Sequence, residues 1–122
     1  MSLILKRTEI MAFLTEQELA DGTEKIIWAN LGGVQGPYVV LVFNQSGILT
    51  LPITATGKIE GEIILLEPTA IKAVHFKKGL MAYKLVIETS DGSDVPPFRV
   101  NKLIIGYSEQ KTELAALLAQ YA

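Results

Sequence analysis

The chain has 122 residues, of which 49% are hydrophobic and 20% charged, with a formal net charge of −2 and no cysteine. That length suits one domain, here taken as 1–122, and a real core, since roughly two-thirds of the unfolded surface is buried at this size. No run reaches the ~18–20 apolar residues of a membrane helix, and disulfide and thiol chemistry are excluded. The eleven cations are scattered among thirteen acids, which argues against the clustered basic face that nucleic acid requires.

Met1 to Leu14 is apolar but broken by Lys6, Arg7 and Glu9. It therefore lacks the continuous run of about 7–15 residues that marks a secretory signal, and the expected location is the cytoplasm. Thr15-Glu16-Gln17-Glu18 has the pattern of a capping box, with Leu14 and Leu19 in the flanking staple positions. Asp21-Gly22 is the expected helix stop. This predicts a short helix within 1–22, lying as a lid over one mouth of a β-barrel that occupies 24–104.

From Glu24 the pattern changes to seven short apolar segments separated by turns. Glu24 to Leu31 is the first predicted strand, with Trp28 anchoring a core edge. Asn30 to Pro37, holding Gly32, Gly33 and Gly36, is a flexible loop. Tyr38 to Asn44 reads as a buried second strand, and Asn44-Gln45-Ser46-Gly47 turns it into a third, where Leu49, Leu51 and Ile53 share a face. A fourth is predicted over Glu62 to Leu66, ended by Pro68, and a fifth over Ala70 to Phe76. Lys77-Lys78-Gly79-Leu80 has the length and glycine of a hairpin turn. In the sixth, Met81 to Thr89, Tyr83, Leu85 and Ile87 face one way and Lys84 and Glu88 the other, the mark of a half-buried strand. Asp91-Gly92 is a turn signal, and Pro96-Pro97 starts the seventh strand no earlier than Phe98, with Phe98 and Val100 inward. Ser108 is the expected cap of a helix over 108–121, whose Leu114, Leu117, Leu118 and Tyr121 form one apolar stripe.

Chemistry is sparsely provided for. The single histidine, His75, lies mid-strand between Val74 and Phe76 and reads as a core or partly buried structural residue, not the base of a triad. One histidine cannot furnish a zinc site. Asp91-Gly92-Ser93-Asp94 is better read as a turn than a calcium loop, since Lys102 stands where the loop's closing glutamate belongs. Glu60 and Glu62 share a strand face, as a glycosidase pair might, but read as solvated. The Gly32-Gly33-x-x-Gly36 loop leads into a strand and lacks the Lys-Ser/Thr of a phosphate cradle. No catalytic residue, metal or cofactor is expected.

Seven strands followed by a covering C-terminal helix resemble the pleckstrin-homology-like (PH-like) plan. Leu19-Ala20-Asp21-Gly22-Thr23-Glu24-Lys25-Ile26 is similar to the opening of the bacterial PH-like domains. Ala70 to Gly79 resembles their fifth strand and hairpin, and Leu85 to Gly92 with Phe98-Arg99-Val100 resembles their last two strands. The resemblance implies a mainly β (α+β) fold, a seven-stranded open barrel or orthogonal sandwich capped by the C-terminal helix and preceded by a short N-terminal helix. It also implies binding or self-association in place of catalysis, with itself or another protein as partner. In PH-like folds peptides add along an exposed sheet edge or beside the C-terminal helix, which makes Leu114, Leu117 and the nearby strand candidates for contact. Phosphoinositide binding is not expected, because Asn30 to Pro37 holds no Lys or Arg, and the net negative charge argues against anionic lipid. Two alternatives stand beside the protein-binding module. One is a small barrel holding an apolar ligand between Trp28, Phe43, Tyr83 and Phe98. The other is a peripheral membrane-associated module.

Overall fold

The computed structural model describes residues 4–33 and 36–122. Met1 to Leu3 of the N-terminal stretch and Val34 and Gln35 of the glycine loop lie outside the described residues. The protein is mainly β. Strands β1 (Lys25–Leu31), β2 (Tyr38–Asn44), β3 (Gly47–Pro52), β4 (Ile64–Leu66), β5 (Ile71–Lys78), β6 (Ala82–Thr89) and β7 (Phe98–Asn101) make one antiparallel sheet in the order β4-β3-β2-β1-β7-β6-β5. Helix α1 (Arg7–Glu16) precedes it and helix α2 (Gln110–Gln120) ends the chain.

β2 has the predicted bounds, and the other strands shift at their ends. β5 runs on to Lys78 because Lys77 and Lys78 pair with Lys84 and Tyr83. The hairpin loop is therefore Gly79–Met81, closed by the Gly79 N–H donating to Ala82 O at 2.9 Å. Gly47 opens β3 at φ 125°, where an added Cβ would stand 1.9 Å from Leu66 O of the neighbouring strand. Only glycine fits there.

The core lies on both faces of the sheet. Ile27, Ala29, Val39, Leu41 and Phe43 point to one side, with Leu85, Phe98, Val100, Leu114 and Leu117. Ile26, Trp28, Val40 and Val42 point to the other, with Ile10, Leu14, Leu49, Leu51 and Tyr107. Successive strand residues alternate faces, so β1 and β2, covered on both, are continuous apolar runs. The sheet curls: Phe43 of β2 and Phe76 of β5 have ring centroids 6.5 Å apart, and Tyr121, just past α2, stands 6.1 and 6.3 Å from them.

Both helices depart from expectation at their starts. α1 lies upstream of the predicted capping box, because Ile10 and Leu14, one turn apart and fully buried, seat it on the Trp28 face. It covers that outer face and is no lid over a mouth. The Thr15 hydroxyl donates back to Met11 O at 2.8 Å, so Thr15–Glu18 ends the helix. Glu18 N–H donates to Thr15 O and Leu19 N–H to Leu14 O, a Schellman close in which Glu18 takes the left-handed φ of 58°. The working cap is at the other end, where Lys6 N–H donates to Glu9 Oε1 at 2.9 Å. Ser108 does not cap α2: Glu109 holds that position without a side-chain bond, and the Ser108 hydroxyl reaches only Glu109 Oε1 at 3.4 Å.

β1 pairs with β7 only through Asn30 and Leu31. Further back, side chains of the α2 region stand where a strand would be. Trp28 N–H donates to Gln110 Oε1 at 2.9 Å, and Gln110 Nε2 donates to Trp28 O at 3.0 Å and Asn101 O at 2.9 Å. Tyr107 OH donates to Ile26 O at 2.8 Å, and Ile26 N–H to Glu113 Oε1 at 3.2 Å. Glu113 also pairs with Arg7 at 2.7 Å, tying α1 to α2. Burial drives the Tyr107 phenol well above its ordinary pKa, so it stays a donor.

Gln110→Leu removes both halves of this amide and leaves buried backbone groups of Trp28 without partners. It is expected to cost about 3 kcal/mol in urea unfolding. Glu18→Gly relieves a left-handed glutamate and is expected to gain about 1 kcal/mol in the same measurement.

Candidate functional site

Three surface features stand out, all built around β5 and β6. The first is the break in the sheet. β5 is a terminal strand, paired with β6 on one side and, among the described residues, with no strand on the other. Because the sheet curls, this free edge borders a hollow of about 460 Å3, faced by Gly47, Ile48 and Pro68 and closed by Tyr121, just past α2. Ile71, Lys72, Ala73 and Val74 line it from β5. A bulge interrupts the β5–β6 register between Ile71 and Ala73.

The second is a cleft of about 330 Å3 bounded by Gly32, Gly33, Lys77, Lys78, Lys84 and Arg99. Lys77 lies directly opposite Lys84, and Lys84 directly opposite Arg99. Three cations thus form a row across β5, β6 and β7 on one face. Among the described residues the ion pairs are Arg7–Glu113 and His75–Glu88, so none of the cleft cations is neutralised by a carboxylate. No Asp or Glu lines the cleft.

The third is a groove of about 350 Å3 beside α2, where Tyr83, Leu103, Ala115 and Leu118 form the walls and Lys102 and Lys111 the rim. Next to it the β5–β6 loop exposes Leu80 and Met81, and the β7–α2 connection exposes Leu103 and Ile105.

The residues singled out from sequence are dispersed. His75 is not a core residue: its side chain is 52% exposed and meets Glu88 Oε2 at 3.0 Å, because it projects from the solvent face of β5, opposite to Val74. It lines none of these hollows. Leu114 and Leu117 are 3% and 0% exposed and pack in the core, although Leu114 also reaches the floor of the groove beside α2. Trp28 lies on the opposite face of the sheet from Phe43 and Phe98, so the four aromatics do not line one cavity. Glu60 and Glu62 both precede β4 and lie in no strand, so they do not share a strand face. Asp91 accepts bonds from the Ser93 N–H and hydroxyl, a local turn that holds its carboxyl below the usual range. Among the described residues no group of three or more His, Asp or Glu is placed to hold a metal, and no helix is long and apolar enough to cross a membrane.

Sequence reading missed the basic row. Lys77 and Lys78 pass for a solvated turn, and Lys84 and Arg99 lie in other segments. Only the register of β5, β6 and β7 brings them together. Period-two placement of Lys77, Lys84 and Arg99 on the outward face was the available signal. No family model, no curated protein and no solved structure matches the chain.

Like charges directly opposite one another in a sheet repel. Lys84→Gln, at the centre of the row, is expected to raise stability by about 0.5 kcal/mol at low salt, and the gain should vanish in thermal melts at high salt.

Proposed function

We propose that this chain is a non-enzymatic binding module of the PH-like kind, whose partner protein lays an extended, acidic segment along the free edge of β5. The observation that carries the reading is that eight-residue edge, open beside the hollow between β5 and Gly47–Ile48. An incoming strand gains the main-chain hydrogen bonds that the edge leaves unpaired, while side chains on alternate positions enter the hollow. Tyr121 and Val74 supply apolar contact there.

The edge also selects its partner. Lys72, Lys77 and Lys78 and the bulge at Ile71–Ala73 are devices that keep like edges apart. A second copy presenting its own β5 would oppose lysines to lysines. A segment rich in Glu or Asp meets the same residues as counter-charges, so a different protein fits better than self-pairing at this edge. The seven antiparallel strands and final helix support the PH-like reading. His75, the single histidine of the chain, stands outside the hollows, and this supports a role without catalysis.

An eight-residue peptide of alternating valine and glutamate is the probe. In two-dimensional amide spectra it is expected to shift resonances of Ile71–Lys78 and Tyr121, with a dissociation constant below about 1 mM. Its valine–lysine counterpart should not bind, and Lys72→Glu should weaken the acidic peptide about threefold or more. Shifts confined to other strands, or equal binding of both peptides, would overturn the assignment.

A further inference from the structure

The acidic net charge conceals an uneven distribution. Residues 1–69 carry eight acids and four cations, whereas residues 70–122 carry seven cations and five acids. Two of those five, Glu88 and Glu113, are already engaged by His75 and Arg7. The basic cleft and the apolar groove lie on either side of the start of β6, with Tyr83 bordering both. Together they gather Lys77, Lys78, Lys84, Arg99, Lys102 and Lys111, and no carboxylate lines either hollow.

Between these cations stand aliphatic side chains in water. Leu80 is 91% exposed and Met81 71% on the hairpin, Leu103 72% and Ile105 97% on the β7–α2 connection. Lys102 joins the two loops. Its N–H donates to Met81 O at 3.4 Å, its Nζ to Leu80 O at 3.1 Å, and the ammonium lies 5.4 Å from the Tyr83 ring centre. Leu80, Met81 and Leu103 are therefore presented side by side.

We infer that this end of the molecule docks on an anionic lipid bilayer, with Leu80, Met81 and Leu103 entering the interface and the surrounding cations facing the headgroups. The observations separate this occupant from others. A protein interface is depleted in lysine at its centre, and here lysines surround the apolar tips. A nucleic acid rewards the cations but gives nothing to three aliphatic side chains, which cannot stack on bases. A bilayer rewards both: the tips leave water for the acyl boundary, and lysines beside them extend their stems and keep their charges at the surface. The cations gathered at the two hollows, with no carboxylate in either lining, orient this end toward a negative surface. This surface shares Lys77 and Lys78 with the end of the β5 edge but not the hollow at Ile71–Val74. The exposed tips Leu80, Met81 and Leu103 belong to it alone, so the serine variant tests it separately from the peptide site.

The test is vesicle co-sedimentation of the full chain, with phosphatidylcholine alone or mixed with phosphatidylserine. At about 0.1 M salt, partitioning into the mixed vesicles should exceed that into the neutral ones by tenfold or more, and fall steeply by about 0.5 M. The double variant Leu80→Ser, Met81→Ser changes only exposed side chains, with circular dichroism to check the fold. It should weaken partitioning about tenfold. Lys77→Glu with Lys84→Glu should abolish it. A Leu80→Trp variant reads insertion directly, since its emission should move to the blue on mixed vesicles while Trp28, fully buried, stays a constant background. Equal partitioning into both vesicles, an unmoved emission, or wild-type partitioning by the serine variant would each overturn the proposal. So would capture of a single-stranded oligonucleotide without capture of vesicles.

Discussion

The side-chain amide of Gln110 is the contact on which the rest of the arrangement turns. β1 sits at the centre of the sheet, buried on both faces, yet it pairs with β7 over only two residues. A buried strand edge with unmet N–H and C=O groups is costly. Gln110 meets both groups of Trp28 with one donor and one acceptor, the same pair that a facing peptide unit would offer. Tyr107 and Glu113 do the like for Ile26. The helix that carries them is thereby fixed by polar contacts as well as by Leu114 and Leu117. Just past its far end, Tyr121 packs against both Phe43 and Phe76.

Side chains of the α2 region meet the groups of β1 that β7 leaves unpaired, while the two ends of the sheet are β4 and β5. Tyr121 packs against Phe43 and Phe76 beside the break between them. Arg7, paired with Glu113 and bonded to the Glu24 carbonyl at 2.8 Å, brings α1 to the junction of α2 and β1. Glu24 accepts from the Asp21 and Gly22 N–H groups and from Asn44 Nδ2, so the buried carboxylate fixes the link between α1 and β1.

Much of the fold was legible in the sequence because strands announce themselves locally. The alternation of Tyr83, Leu85 and Ile87 against Lys84 and Glu88, the run from Tyr38 to Phe43, and the prolines before Phe98 needed no partner to be read. The helix starts were misread for a physical reason. Thr15-x-x-Glu18 satisfies the rule for a helix opening, and here it closes one, because the burial of Ile10 and Leu14 against Trp28 decides where the helix lies. His75 was misplaced by its neighbours: Val74 and Phe76 suggested burial, but in a strand the residue between two inward side chains points outward.

The sequence by itself determined the number and approximate bounds of the strands and the final helix, since each depends on residues close together in the chain. Tertiary structure alone decided what the surface offers. Lys77, Lys84 and Arg99 become one row only through the register of three strands, and the free edge of β5 follows from the strand order, in which β5 stands last. The loops carrying Leu80 and Leu103 meet because β6 and β7 pair up to Ala82 and Asn101 and Lys102 continues the contact to Met81 and Leu80. Each of these pairings joins residues distant in sequence, and packing against the core, not local propensity, brings them together.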